Sequence, residues 1–123
     1  MKLLKAFIQL VRWPNLVFIA VTQLLFLYCI ERPIFVEAGI KTNVSGVYFL
    51  CLVLGSICIA AAGNIINDYF DLNIDQINKP NKVIVDKIIH RRWVIFWHLI
   101  LSLVGIVLGF VVDCYTNVRF LGV

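Results

Sequence analysis

The sequence predicts an all-α protein, a multi-span transmembrane helical bundle, and three observations lead there. Hydrophobic residues make up 62% of the 123 positions, and the mean hydropathy of +0.95 lies outside the range of ordinary soluble domains. The stretches Trp13 to Ile30, Thr42 to Asn67 and Trp93 to Val112 contain no Asp, Glu, Lys or Arg. Each is long enough to cross a hydrocarbon core of ~30 Å as a helix, the one open-ended form that satisfies its own backbone there. The basic residues gather at the ends of these stretches: Lys2, Lys5 and Arg12 before the first, and Lys79, Lys82, Lys87, Arg91 and Arg92 between the second and third. The intervening loop and the tail carry far fewer, so the N-terminus and the 76–92 loop are expected on the cytoplasmic side. The formal net charge of +4 follows from these flanks, and no nucleic-acid partner is expected.

In chain order, Leu3, Leu4, Phe7, Ile8 and Val11 stand at helical spacing with Lys2, Lys5 and Gln9 elsewhere, which predicts a helix lying in the membrane interface. Pro14 marks the turn into a first span over about 14–30. Gln23 at its centre calls for a hydrogen-bond partner on another helix. Residues 31–45 have room for a short interfacial segment and nothing more. A second span runs over about 46–76, its end set by Pro80, which disfavours helix at Lys79 and lacks an amide donor. A third covers about 93–112, with His98 expected as a packed or hydrogen-bonded side chain. Cys29, Cys51, Cys58 and Cys114 include no CxxC pair and read as buried thiols. No internal repeat is present. The sequence stops as a new apolar run begins at Phe120-Leu121-Gly122-Val123, which reads as an incomplete bundle.

The second span carries the chemistry. Its small residues Gly55, Ser56, Ala60, Ala61, Ala62 and Gly63 lead directly into Asn64, Asn67, Asp68, Asp71 and Asp75. At about 100° per residue these five point to about 0°, −60°, +40°, −20° and +20°, a single polar stripe. Carboxylates so crowded repel one another unless a divalent cation or protons intervene. An EF-hand loop fails as an explanation, because its sixth position would be Gln76 instead of Gly and its twelfth Lys82 instead of a bidentate Glu. Few hard oxygen ligands along one wall suit Mg²⁺, which keeps several waters and bridges one or two carboxylates to phosphate oxygens. With Lys79 and Lys82 just beyond, and Ile57 and Ala60 continuing the stripe as an apolar wall, the pattern fits a lipid diphosphate, its head at the mouth and its isoprenoid tail in the bilayer. A cation-coupled transporter with carboxylates at a pathway mouth is the alternative.

Asn67-Asp68-Tyr69-Phe70-Asp71-Leu72-Asn73-Ile74-Asp75 resembles the first aspartate-rich motif, NDxxDxxxD, of the UbiA-type intramembrane prenyltransferases. The likeness extends to Gly63-Asn64 before it and to Asp75-Gln76-Ile77-Asn78-Lys79-Pro80 after it. This continuation is similar to that of the branch containing geranylgeranylglycerol-phosphate geranylgeranyltransferases and chlorophyll synthases. Arg12-Trp13-Pro14-Asn15 is similar to the R-P-x-N opening of the first helix, with one residue inserted. The family's R-P-I-P-S-G reads Lys82-Val83-Ile84-Val85-Asp86-Lys87 here, keeping the basic position and losing the Pro-Ser-Gly turn.

The resemblance implies the N-terminal three helices of a nine-helix fold within a single domain. It also implies Mg²⁺-dependent transfer of a prenyl group from a prenyl diphosphate to a lipid-like or aromatic acceptor. Asn67, Asp68, Asp71 and Asp75 would hold the metal, with Asn67, Asp71 and Asp75 central to catalysis. Asn64, Lys79 and Lys82 would contact the diphosphate, and Asn15 the substrate. The family's second aspartate-rich motif has no counterpart here, where Asp113 alone follows Asp86, so the chain by itself is expected to be inactive.

Overall fold

A computed structural model describes residues 2–39, 46–78 and 83–120, with side chains up to Tyr115. The helices are α1 (Lys2–Leu10), α2 (Trp13–Phe26), a π-helical turn (Leu27–Glu31), α3 (Arg32–Glu37), α4 (Gly46–Phe70), α5 (Leu72–Asn78) and α6 (Arg91–Phe120). Among the described residues the extended backbone amounts to one isolated bridge, Val85 to Ile89. Among the described residues three helical runs are long and apolar enough to cross a membrane: Trp13–Glu37, Gly46–Phe70 and Arg91–Tyr115. The chain is thus an all-α, multi-pass integral membrane bundle.

The first run extends past Ile30, where the sequence suggested a loop. Pro33 is the reason the helix changes character: a proline ring crowds the carbonyl four residues earlier and offers no amide. The wider turn at Leu27–Glu31 opens the backbone just ahead of it. Arg32 then lies over the ring of Tyr28, its guanidinium carbon 4.5 Å from the centroid. At the other end, Arg12 adopts a left-handed conformation (φ 55°, ψ 56°) that breaks the helix between α1 and α2, and Pro14 occupies the first turn of α2, where its missing N–H costs nothing.

The second polar run is not one uninterrupted helix to residue 76. Phe70 ends α4, Asp71 forms a turn and α5 resumes at Leu72. Aspartate is a weak helix former in an interior and a favoured one at a helix start, and Asp71 sits at that junction with Asp75 in the first turn of α5. The backbone still bonds through the break, Asp71 N–H to Asn67 O at 2.9 Å and Asp75 N–H to Asp71 O at 2.8 Å, so the stripe keeps its direction. The third helix begins at Arg91, ahead of Trp93, and runs on beyond Val112.

Helices α4 and α6 form an antiparallel pair. Tyr48 stacks on Tyr115 with centroids 3.4 Å apart, Gly55 faces Gly105 and Leu108, and His98 Nδ1 lies 3.1 Å from Ala62 O. His98 is therefore hydrogen-bonded between helices, as its sequence context suggested. Gly55 and Gly105 permit the approach, since a Cβ on Gly105 would stand 2.6 Å from Ile59 Cγ1 and 3.0 Å from Gly55 O.

Burial is concentrated at one end. Ala6, Leu10 and Val11 pack with Ala61, Ile65, Leu72, Val83, Ile84, Val85, Ile89 and Val94 into one core. Of the apolar set over residues 3–11, Leu3, Leu4 and Ile8 remain exposed while Phe7 and Val11 pack on this core beside Ala6 and Leu10. Outside this core the helices present Val17, Phe18, Leu25, Leu103, Ile106 and Phe110 outward, which suits lipid or further helices and not water. Cys29 and Cys114 are exposed and Cys51 and Cys58 half-buried, all four free thiols. The expectation of buried cysteines thus fails for two, which lie on outward helix faces. Gln23 Oε1 is buried without a hydrogen-bond partner among the described residues.

Candidate functional site

The acidic stripe lies at the packed end of the bundle, where α4 passes into α5. Its upper rungs meet the α1–α2 turn. Asn64 Nδ2 donates to Val11 O at 2.9 Å, and Arg12 Nη2 donates to Asp68 Oδ1 at 2.7 Å. Both contacts follow from the helical period, because Asn64 and Asp68 stand at i and i+4 on the face that the turn covers. Ile57 and Ala60, their apolar continuation, are half-buried.

The lower rungs face the segment that leads to α6. Asp68 and Asp75, seven residues apart on one face, line a cavity of about 20 Å³ with Leu72, Val83, Ile84 and Val85, room for about one water. Asp71 and Asn67 are exposed. Asp71 and Asp75 lie near enough to Asp68 to repel its charge. Lys79 and Lys82 lie outside the described residues. Asn15 is exposed on the first turn of α2, its backbone N–H bonded to Arg12 O at 2.9 Å. The structure thus brings Asn64, Asp68 and Asp75 into one packed environment, places Asn67 and Asp71 on its open side, and leaves Asn15 beyond the turn.

Two features escaped sequence reading. Arg12 reads as one more basic flank, and nothing in its local pattern reveals a partner 56 residues away. Val83-Ile84-Val85 lies in a loop that charge counting assigns to water, yet all three are buried. The run of three β-branched residues was the available signal. Asp86 closes this loop in a left-handed conformation, φ 66°. Its N–H bonds to Ile89 O at 2.8 Å and its carboxylate accepts from Arg91 Nε at 2.6 Å.

Among the described residues no three His, Cys, Asp or Glu side chains converge into a ready-made metal cage. Spaced carboxylates with an exposed member fit Mg²⁺, which keeps waters and takes the rest of its shell from phosphate.

Residues 24–123 match the UbiA prenyltransferase family, and the chain belongs to that family. It is 33% identical over 120 residues to a digeranylgeranylglyceryl phosphate synthase of Pyrococcus abyssi, covering 97% of this chain and 36% of the relative. A protein of the same name from Thermococcus onnurineus is 31% identical over 112 residues, 91% of this chain and 37% of the relative. One from Methanosphaera stadtmanae is 38% identical over 82 residues, 64% and 30% respectively. The chain spans about a third of the length of these curated relatives. No solved structure matches it.

Proposed function

We propose that the protein carrying this chain transfers a prenyl group from a prenyl diphosphate to a lipid-like acceptor within the membrane, in a Mg²⁺-dependent reaction. The observation that carries the reading is the exposed Asn67 and Asp71 beside the half-buried Asp75, at the wet end of an apolar helix pair, in a chain of this family. The relatives' name describes a product with two geranylgeranyl groups on a glyceryl phosphate, so a geranylgeranyl donor and a glyceryl phosphate lipid are the substrates that fit first. The basic flanks favour a cytoplasmic mouth. Family membership favours this reading over a cation-coupled transporter.

Mg²⁺, when bound, would supply positive charge to the departing diphosphate. Asp71 and Asp75 would hold it, with Asn67 offering a neutral oxygen and Lys79 and Lys82 standing next in sequence to neutralise the diphosphate oxygens. The apolar wall of α4 above the stripe, formed by Ile57 and Ala60, would keep water from the allylic carbon until the acceptor attacks. The protein's work is the placement of charge and the exclusion of solvent.

The test is turnover of labelled geranylgeranyl diphosphate in membranes containing the full-length protein. Asp71→Ala and Asp75→Ala are each expected to reduce it about a hundredfold or more, the scale seen when a group stabilising developing charge is removed. A chelator should abolish it. Unchanged turnover in both variants, or full activity in the chelator, overturns the assignment.

A further inference from the structure

Three features tie one turn of the chain to the acidic stripe. Arg12 Nη2 and Asp68 Oδ1 are 2.7 Å apart, Asn64 Nδ2 and Val11 O are 2.9 Å apart, and the Arg12 backbone is left-handed at φ 55°. A non-glycine residue keeps that conformation only where its surroundings hold it. The Arg12 side chain is 47% exposed and that of Asp68 23%, so the guanidinium covers the carboxylate from the water side. The turn therefore occupies Asn64 and Asp68, while Asn67 stays exposed and Asp71 and Asp75 continue below it. A carboxylate oxygen engaged by a guanidinium has less to offer a cation. The same pairing cancels one of three crowded like charges.

We infer that Arg12 is a positioning residue that divides the stripe. It holds Asp68 as the counter-ion of the α1–α2 turn, anchoring α1 beside the mouth, and leaves Asp71 and Asp75 to hold the cation and diphosphate. The second half of this inference rests on the proposed function; the first does not.

Two measurements test it. In detergent with chelator present, Arg12→Gln and Asp68→Asn are each expected to lower the thermal unfolding midpoint and to speed tryptic cleavage after Lys5. The double variant should be no worse than the more affected single variant, because the two changes break one interaction. The charge exchange Arg12→Asp with Asp68→Arg should recover most of the loss. Additive effects, or none in either single variant, overturn the positioning role.

In the full-length protein, Asp68→Asn should leave the half-saturating Mg²⁺ concentration within about twofold while Asp71→Asn raises it about tenfold or more. An Asp68→Asn increase as large as that of Asp71→Asn shows Asp68 to be a ligand and overturns the division. If Asp71→Asn and Asp75→Asn also leave the Mg²⁺ dependence unchanged, the proposed function fails, and the metal-free coupling still decides the role of Arg12.

Discussion

Two non-glycine residues with left-handed backbones, Arg12 and Asp86, frame the mouth, and each is held by a charged contact. Aspartate and asparagine tolerate this conformation better than other residues because their short side chains bond locally. Asp86→Asn should therefore cost little, within about 1 kcal/mol for a half-exposed ion pair. Asp86→Val should cost about 1–2 kcal/mol more, from the clash of a β-branched side chain at positive φ. Chemical denaturation of the purified protein separates the two, and equal losses would show that the ion pair and not the backbone carries the turn. Arginine at position 12 lacks that local tolerance, so its conformation depends on Asp68, which sequence spacing alone does not connect to it.

Between elements, the α4–α6 contact depends on two glycines in particular. A methyl at Gly105 would meet Ile59 Cγ1 at 2.6 Å and the backbone oxygen of Gly55 at 3.0 Å, whereas one at Gly109 meets nothing within 4 Å among the described residues. Gly105→Ala is expected to destabilise by about 1–3 kcal/mol through forced separation of the helices. Gly109→Ala should be neutral or stabilising by up to ~1 kcal/mol through helix propensity. Gly55→Ala, at 3.3 Å from Gly105 O, belongs between them. Unfolding midpoints of the three variants check the order, and a Gly109 variant as damaged as Gly105 would refute the packing. The presence of small residues was legible in the sequence. Which of them face a partner was not, since Gly55 and Gly63 look alike until α6 supplies Gly105 opposite one and, among the described residues, nothing within 4 Å of the other.

At the scale of the molecule, the largest buried cluster gathers at the end that holds the stripe; beyond it the α4–α6 contact continues, and many large apolar side chains of the spans face outward. The orientation proposed from the basic flanks puts the 83–90 segment in the cytoplasm and Glu37 outside. In a cysteine-free background, Glu37→Cys should react with a membrane-impermeant maleimide in intact cells, and Lys87→Cys only after permeabilisation. The reverse pattern would invert the topology and place the acidic stripe on the other side.

What the sequence by itself determined is the helical class, the three runs apolar enough to cross a membrane and the helical register of Asn64, Asn67, Asp68, Asp71 and Asp75, because hydropathy and a 3.6-residue period are local properties of the chain. The interruption at Asp71, the burial of Val83-Ile84-Val85 and the engagement of Asn64 and Asp68 by the α1–α2 turn were decided only in three dimensions. Each depends on a surface brought from elsewhere along the chain. A polar side chain's availability to a ligand is set by which neighbours reach it first, and that competition exists only once the helices have packed.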